Sequence, residues 1–146
     1  DKRKPNPIDY GFVGDAREVN TDILADLIAR GIVPVLSPIT HDGKGNLLNT
    51  NADTIAQEAA VALAKRFDVS LIYCFEKDGV LKDENDDSSV IPLITKADFE
   101  AYKADGTISG GMIPKLDNAF TAISKGVKEV VITSANHILS GGTKIK

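Results

Sequence analysis

The stretch NADTIAQEAAVALAKRFDVSLIYCF, residues 51–75, places an alanine-rich helical pattern directly before a short apolar run. The helical part extends from about Ala52 to Arg66, and Asn51 can cap it by accepting a backbone N–H. The run VSLIYCF, residues 69–75, has the composition of a buried parallel strand. A helix next to a buried strand is the repeating unit of α/β domains, so this stretch predicts an α/β fold.

The same alternation recurs elsewhere in the chain. GIVPVLS, residues 31–37, and VKEVVIT, residues 127–133, are also predicted to be buried parallel strands, and each follows a helical pattern. We expect one helix from Asn20 or Thr21 through Arg30, a short one that starts at Thr95, and one that starts at Pro114 and ends near Lys125. Four helices and at least three core strands predict a layered sandwich with a parallel sheet.

Three shorter segments are predicted to pair at the margins of this core. The segment SPITHDGKGNLLN, residues 37–49, has turn residues at its DGKG centre and is typical of a hairpin. YGFVG near the start and GGTKIK at the end are predicted to be edge strands. The hairpin would bring Asn49 to the start of the next helix.

Composition limits the possible partners. The chain has 146 residues, 42% of them hydrophobic, so it can form one domain with a substantial core. A formal net charge of −4 argues against a nucleic-acid-binding protein and against a basic membrane-surface helix. Small molecules or other proteins are the expected partners.

The single cysteine, Cys74, lies in the apolar run and is predicted to be a buried structural thiol. One cysteine cannot form an intramolecular disulfide, which fits a reducing compartment. No apolar stretch approaches the ~18 residues of a spanning helix, and the segment DKRKPNPIDYG lacks the apolar part of a signal peptide. These features predict a cytoplasmic location.

Several familiar catalytic signatures do not occur in the sequence. It has no GxxxxGK[ST] motif, no GxGxxG after a strand, no HExxH and no CxxC pair. His41 and His137 lie in predicted loops, and neither is expected to be catalytic. The run KDENDDSS, residues 82–89, lacks the glycine and glutamate of a calcium loop and is predicted to be solvated. No protein-based metal site is expected.

The segment NTNAD, residues 49–53, brings three polar side chains to one helix N-terminus. Asn49 and Asn51 lie on the same side of an extended approach, and Asp53 lies in the first helical turn. Such a place can bind an anion, and amide side chains there can orient a carboxylate. A capped helix with solvated asparagines is the alternative.

The segment SGGMIPK, residues 109–115, joins a glycine turn to a helix start. Lys115 would lie in the first turn, where the positive end of the helix dipole disfavours an ammonium group. An anion held between the glycine backbone and Lys115 would explain this placement. A solvated lysine is the alternative.

These segments together resemble a known family. YGFVGDAREVN, GIVPVLSPITHDGKGNLLNTNADT, DGVL, ISGGMIPK and GGTKI occur in family order and span nearly all 146 residues. In these motifs the chain resembles the C-terminal half of the acetylglutamate kinases, a branch of the amino-acid kinase family. The motifs NTNADT and ISGGMIPK are the specific ones.

The resemblance implies a three-layer αβα sandwich with a mainly parallel central sheet, the carbamate kinase-like fold. It also implies transfer of the γ-phosphoryl group of ATP to the side-chain carboxylate of N-acetylglutamate or N-succinylglutamate, which forms an acyl phosphate in arginine biosynthesis. Mg²⁺ would be held mainly through the nucleotide. Residues 1–146 would be the nucleotide-binding half, without the acceptor-binding N-terminal half, and the full-length protein is expected to be a homodimer.

The resemblance also implies residue roles. Lys115 would stabilise the transferring phosphoryl group, Asp53 would orient the catalytic lysines, and Asn49 would contact the acylglutamate. Asn51 would join Asn49 in substrate binding. The expected nucleotide-binding residues are Glu76, Gly79, Leu81, Gly110 and Gly111.

The chain departs from the family pattern in two places. Phe75-Glu76-Lys77 stands where the family usually has a Thr-Asp-Val type sequence, and the tail lacks the longer helix before the final strand. Two alternatives remain open. One is a sister kinase that acts on carbamate, aspartate or UMP, and the other is a noncatalytic nucleotide-binding or regulatory module. A 146-residue piece alone is not expected to turn over.

Overall fold

A computed structural model describes residues 9–146 of the chain. The chain forms two compact units, the first ending at Ile55 and the second comprising Ala56–Lys146. Within the described residues, no helix is both long enough and apolar enough to cross a membrane.

The first unit contains one helix and one hairpin. Helix α1 spans Thr21–Ala29, and the side chain of Asn20 caps it by accepting a hydrogen bond from the backbone N–H of Ile23 at 3.1 Å. Strands β1 (Ile39–His41) and β2 (Leu47–Asn49) pair antiparallel, which confirms the predicted hairpin. Val13 forms a parallel bridge with Asn49, so the YGFVG segment pairs at the edge of this hairpin as predicted.

Helix α2 spans Ala52–Leu63, and the boundary between the two units falls within it. The side-chain oxygen of Asn51 accepts hydrogen bonds from the backbone N–H groups of Asp53, at 2.8 Å, and Thr54, at 3.2 Å. The predicted cap is therefore confirmed. The helix ends at Leu63, and turns rather than helix continue to Arg66.

The second unit has a four-stranded sheet in the order β3-β5-β6-β4. Its strands are β3 (Ser70–Phe75), β4 (Leu93–Ile94), β5 (Glu129–Ser134) and β6 (Thr143–Ile145). β3 pairs parallel to β5 and β4 parallel to β6, whereas β5 and β6 are antiparallel. The predicted α/β architecture with a mainly parallel sheet is confirmed.

The prediction of an edge strand at the C-terminal segment is wrong. β6 lies inside the sheet, because the two-residue strand β4 pairs with its outer side. Thr143 and Ile145 are fully buried. A strand as short as β4 has no periodic sequence pattern, so its presence could not be expected from composition.

Two helices pack on this sheet. Helix α3 (Lys96–Asp105) begins with a capping box in which the Thr95 and Asp98 side chains each accept the other residue's backbone N–H. Helix α4 spans Met112–Ser124 and starts two residues before the predicted Pro114. Proline is tolerated there because the N–H groups of the first helical turn have no intrahelical acceptor.

The core of the second unit is one hydrophobic cluster formed by the sheet, these two helices and the second-unit part of α2, which contributes Ala60. Alternate residues of β3 and β5 enter it, as do residues on one face of α4. Its fully buried members include Phe99, Leu116, Ala119, Ala122, Val130 and Ile145.

Two further predictions are wrong, both for residues judged by apolar character alone. Residues 31–37 form no strand, and Val33 and Val35 are 82% and 92% exposed, because no described strand pairs with this segment. Cys74 is exposed rather than buried. It lies on the face of the edge strand β3 opposite to Leu71 and Tyr73, which point into the core.

Candidate functional site

The second unit contains a cavity of about 730 Å³, a volume typical of small-molecule sites. It lies where β3 ends, between the loop that follows this strand and the start of α4. This is the place where α/β proteins generally bind their ligands, beyond the carboxyl ends of parallel strands. The lining comprises Cys74, Phe75, Glu76, Lys77, Gly79, Val80, Leu81, Glu84, Thr107, Ile108, Ser109, Met112 and Lys115.

The cavity combines an apolar wall with charged groups at its margin. Phe75, Ile108 and Met112 form part of the apolar wall, which suits a planar ring. Glu76, one of the expected nucleotide-binding residues, lines the cavity and is exposed, and its contact with a nucleotide stays a prediction. Lys77 forms an ion pair with Asp87 of the solvated 82–89 loop, and this hydrogen bond raises the pKa of Lys77.

Gly79 and Leu81, two more of the predicted nucleotide-binding residues, line the cavity from the loop after β3. The buried backbone N–H of Val80 donates to Oγ1 of Thr143 at 2.8 Å, which fixes this loop to β6. A Cβ atom at Gly79 would lie 2.7 Å from Thr143 Oγ1 and 2.7 Å from Val90 Cγ1. Glycine is therefore required where the loop passes this close to β6.

Gly110 and Gly111 lie between Ser109 and Met112, which both line the cavity. Gly110 has a φ of +54°, a conformation that favours glycine, and Gly111 is the N-cap of α4. Backbone N–H groups at a helix start are suited to bind an anion. The two glycines themselves are not among the lining residues, so their contact with a nucleotide stays a prediction.

Lys115 lies in the first turn of α4, as predicted, and lines the cavity. Its side chain is half-buried, and Nζ lies 3.4 Å from the centroid of the Phe75 ring. Phe75 in turn stacks on Tyr73, with 6.1 Å between ring centroids and 22° between ring planes. The sequence predicted the position of Lys115 but not its aromatic contact.

Sequence reasoning also missed a polar cluster beside the cavity loop. Oδ1 of Asp78 accepts a hydrogen bond from Ser134 Oγ at 2.6 Å and lies 2.9 Å from Nδ1 of His137. These two hydrogen bonds lower the pKa of Asp78. Because Ser134 donates to the carboxylate, the cluster is not arranged to activate a serine nucleophile. It links the loop after β3 to the end of β5.

The NTNAD residues lie in the first unit. Asn49 is the last residue of β2, and its backbone N–H donates to the Phe12 carbonyl at 2.8 Å while its side chain is exposed. Asn51 caps α2, and Asp53 is half-buried in the first turn of that helix. Lys115 belongs to the second unit, so the convergence of Asp53 and Lys115 stays a prediction.

The first unit has a cavity of its own, of about 790 Å³. Asp15, Arg17, His41 and Asp42 line it together with neighbouring residues of the hairpin. Across residues 9–146, no cluster of three or more His, Cys, Asp or Glu side chains could hold a metal ion.

Comparison with known proteins identifies relatives of this chain. The model of the amino acid kinase family matches residues 2–134. The acetylglutamate kinase of Bacteroides thetaiotaomicron is 64% identical over 146 residues, which are 99% of this chain and 57% of the relative. The chain thus spans little more than half the length of this relative.

Solved structures show the same fold. A crystal structure of a Streptococcus mutans protein matches with a TM-score of 0.77 at 32% identity, over 94% of this chain and 52% of that protein. Carbamate kinase from Giardia lamblia bound to AMP-PNP matches with a TM-score of 0.65 at 18% identity, over 87% of this chain and 49% of that chain. The architecture of the amino acid kinases therefore extends over most of the chain.

Proposed function

This chain belongs to the amino acid kinase family, and from that premise we propose that it is the nucleotide-binding half of an acetylglutamate kinase. The reaction would transfer the γ-phosphoryl group of ATP to the side-chain carboxylate of an N-acylglutamate, with an acyl phosphate as product. The high identity to an acetylglutamate kinase over almost the whole chain supports this choice over a sister kinase for carbamate, aspartate or UMP.

The observation that carries the proposal is the position of Lys115 in the cavity wall. The base and ribose of ATP would lie along the apolar wall near Phe75 and Met112, close to Glu76 and the loop with Gly79 and Leu81. The phosphates would then extend toward Gly110, Gly111 and the start of α4. There the helix N-terminus and the Lys115 ammonium both stabilise negative charge.

Phosphoryl transfer needs positioning and charge stabilisation more than covalent chemistry by the protein. Lys115 would neutralise charge that develops on the phosphoryl oxygens, and Asp53 would hold the catalytic cations in position. Mg²⁺ would enter with ATP and neutralise charge on its phosphates. Asn49 and Asn51 would orient the acceptor through their amide groups, and the NH₂ group of Asn51 is the part left for this role because its oxygen caps α2.

Steady-state kinetics of the complete native polypeptide test the proposal. We expect Lys115→Ala to lower kcat by at least ~100-fold, about 3 kcal/mol of transition-state stabilisation, with little change in ATP affinity. Asp53→Asn should act similarly, and the double variant should lose less than the product of the two single losses, because residues that act together are not additive.

Lys125→Ala is the matched control, because Lys125 lies at the other end of the same helix and pairs with Glu58 at the surface. It should leave kcat within about twofold. A tenfold loss or less for Lys115→Ala would remove the assigned role. A complete polypeptide that binds AMP-PNP in calorimetry but transfers no phosphoryl group would instead indicate a noncatalytic nucleotide-binding module.

A further inference from the structure

We propose that Asp78 is a positioning residue of the cavity in the second unit. Through Ser134 and His137 it fixes residues 76–81, the cavity loop, in the conformation that lines the cavity. The hydrogen bonds that carry this inference lie within the second unit. Only the expected effect on nucleotide affinity rests on the proposed function.

The cavity loop crosses one end of the sheet. It begins after Phe75, the last residue of β3, which pairs with Ser134 at the end of β5, and the side chain of Asp78 binds that same serine. Two residues later, the backbone N–H of Val80 donates to Thr143 on β6. Because the strand order is β3-β5-β6, the loop is attached in turn to the two strands that it crosses.

Asp78 differs from its neighbours because its side chain does not face the cavity. Of residues 74–81, Asp78 alone does not line the cavity, whereas Lys77 and Gly79 on either side of it do. Its carboxylate instead accepts hydrogen bonds at the end of β5. Asp78 therefore acts on a bound ligand through the position of its neighbours rather than by contact.

Both partners of Asp78 are themselves held in place. Ser134 belongs to β5 and is 5% exposed. The backbone carbonyl of His137 accepts hydrogen bonds from the Gly141 N–H at 3.0 Å and from the Thr133 hydroxyl at 3.3 Å. Hydrogen bonds to an ionised carboxylate are roughly twice as strong as those between neutral groups. Two such bonds from fixed donors therefore hold the Asp78 side chain in one position, although it is half-exposed.

The geometry also determines the tautomer of His137. A carboxylate has no hydrogen to donate, so the hydrogen between Asp78 and His137 belongs to Nδ1 of the imidazole ring. His41 has the opposite arrangement. Its Nδ1 accepts the backbone N–H of Gly43 at 3.1 Å, so the neutral ring carries its hydrogen on Nε2. The two histidines of the chain therefore differ in tautomer, and only that of His137 depends on Asp78.

Long-range proton–nitrogen NMR spectra of the complete polypeptide at alkaline pH, where imidazole groups are neutral, test this arrangement. We expect the Nδ1–H tautomer for His137 and the Nε2–H tautomer for His41, with resonances assigned by their loss in His137→Gln and His41→Gln. In Asp78→Ala, His137 should shift toward the Nε2–H tautomer while His41 stays unchanged. A wild-type His137 in the Nε2–H tautomer would overturn the proposal.

Amide hydrogen exchange of the ligand-free protein tests whether Asp78 fixes the loop. The Val80 N–H is buried in a hydrogen bond, so it exchanges only when the loop opens. We expect faster exchange of Val80 in Asp78→Ala. Exchange in Asp78→Asn should stay closer to wild type, because the amide oxygen can still accept both hydrogen bonds. Unchanged exchange in Asp78→Ala would contradict the positioning role.

Calorimetry with AMP-PNP and Mg²⁺ tests the effect on the nucleotide. We expect Asp78→Ala to weaken binding about tenfold, because binding must then order a loop that is already ordered in wild type, while kcat at saturating ATP stays within about twofold. Asp86→Ala is the matched control. Asp86 also accepts a hydrogen bond from a serine hydroxyl, that of Ser88 at 2.6 Å, but it lies in the solvated 82–89 loop and does not line the cavity. It should leave both affinity and kcat within about twofold.

The remaining outcomes separate this inference from the proposed function. A wild-type protein that binds no AMP-PNP would contradict the proposed function, whereas the His137 tautomer and the exchange of Val80 would still decide whether Asp78 fixes the loop. If wild type binds AMP-PNP, an unchanged affinity in Asp78→Ala, or an equal loss in Asp86→Ala, would overturn the role of Asp78 in ligand binding.

Discussion

The position of Lys115 indicates a ligand because its positive charge is unfavourable at that position. A lysine in the first turn of a helix opposes the helix dipole, and that mismatch alone suggested an anionic ligand. The structure adds a second reason for the placement, because the Phe75 ring lies directly below the ammonium group. Phe75 is also where the sequence departs from the usual family pattern, so this departure coincides with the environment of the expected catalytic lysine.

Asn49 provides a test of substrate binding at the residue scale. Its side chain is exposed at the end of β2, where an amide group can bind a carboxylate. We expect Asn49→Ala in the complete polypeptide to raise the KM for the N-acylglutamate about tenfold or more with little change in kcat, because it removes a contact made equally to substrate and transition state. Initial rates at saturating ATP provide the measurement.

Asn46→Ala serves as its control. Asn46 lies in the turn of the same hairpin, and its side-chain amide donates to Asp42 within that turn at 2.7 Å. A change of kcat alone in Asn49→Ala, or an equal rise of KM in Asn46→Ala, would argue against contact between Asn49 and the acceptor.

At the scale of elements, the cavity loop depends on a strand distant in sequence. The Val80 N–H and the Thr143 hydroxyl are both buried, and their 2.8 Å hydrogen bond joins the loop after β3 to β6. We expect Thr143→Val to lower the free energy of unfolding by about 1–3 kcal/mol, because the Val80 N–H would lose its partner inside the core. Urea denaturation of the complete polypeptide measures this change.

Thr143→Ser keeps the hydroxyl group and should lose less stability. The two variants should also differ in ATP affinity, since Gly79 and Leu81 beside Val80 line the cavity. Equal stability losses in both variants would mean that the methyl group, which only Thr143→Ser removes, contributes as much as the hydrogen bond, which only Thr143→Val removes.

At the scale of the whole molecule, several carboxyl groups have lowered pKa values because they accept hydrogen bonds. The Thr95 side chain lowers the pKa of Asp98, Ser134 lowers that of Asp78, and Lys128 lowers that of Asp68. A carboxyl group with a lowered pKa in the folded state stabilises the fold above its unfolded pKa. That contribution is lost as the pH falls through the folded pKa.

We therefore expect the free energy of unfolding to be nearly constant from pH 7 to about pH 5 and to fall as the pH drops through and below about 4, the unfolded range of aspartate. Asp98→Asn should make this fall shallower, because the variant has no carboxyl group to protonate at the α3 capping box. Urea denaturation at a series of pH values measures the slope. An unchanged slope in Asp98→Asn would show that other groups dominate acid unfolding.

The two units are packed to different degrees. The second unit has a continuous hydrophobic cluster. Among the described residues of the first unit, by contrast, Leu24 is the one hydrophobic residue that is buried. Apolar side chains such as Phe12, Val33 and Val35 lie exposed in the first unit. The sequence shows that these segments are apolar, but it does not show whether another segment packs over them.

Features that depend on residues adjacent in the chain can be predicted from the amino-acid sequence. Local hydrogen bonds account for the helix caps at Asn20, Asn51 and Thr95. Local periodicity and turn residues account for the hairpin before α2, for the buried strands β3 and β5, and for the placement of Lys115 in the first turn of α4. The family motifs lie in the same short segments, which is why family membership was evident without coordinates.

Contacts between residues distant in the chain become known from the fold. Strand order decides the interior position of β6 and the exposure of Cys74 on the edge strand β3. The packing of helices and loops beside the sheet decides the contact between Phe75 and Lys115 and the cluster of Asp78, Ser134 and His137. Residues 31–37 are exposed because no described strand pairs with them. Apolar character and local spacing indicate that a residue can be buried or can bind a ligand. The neighbour that buries or binds it comes from another part of the chain, and strand pairing and helix packing bring the two together.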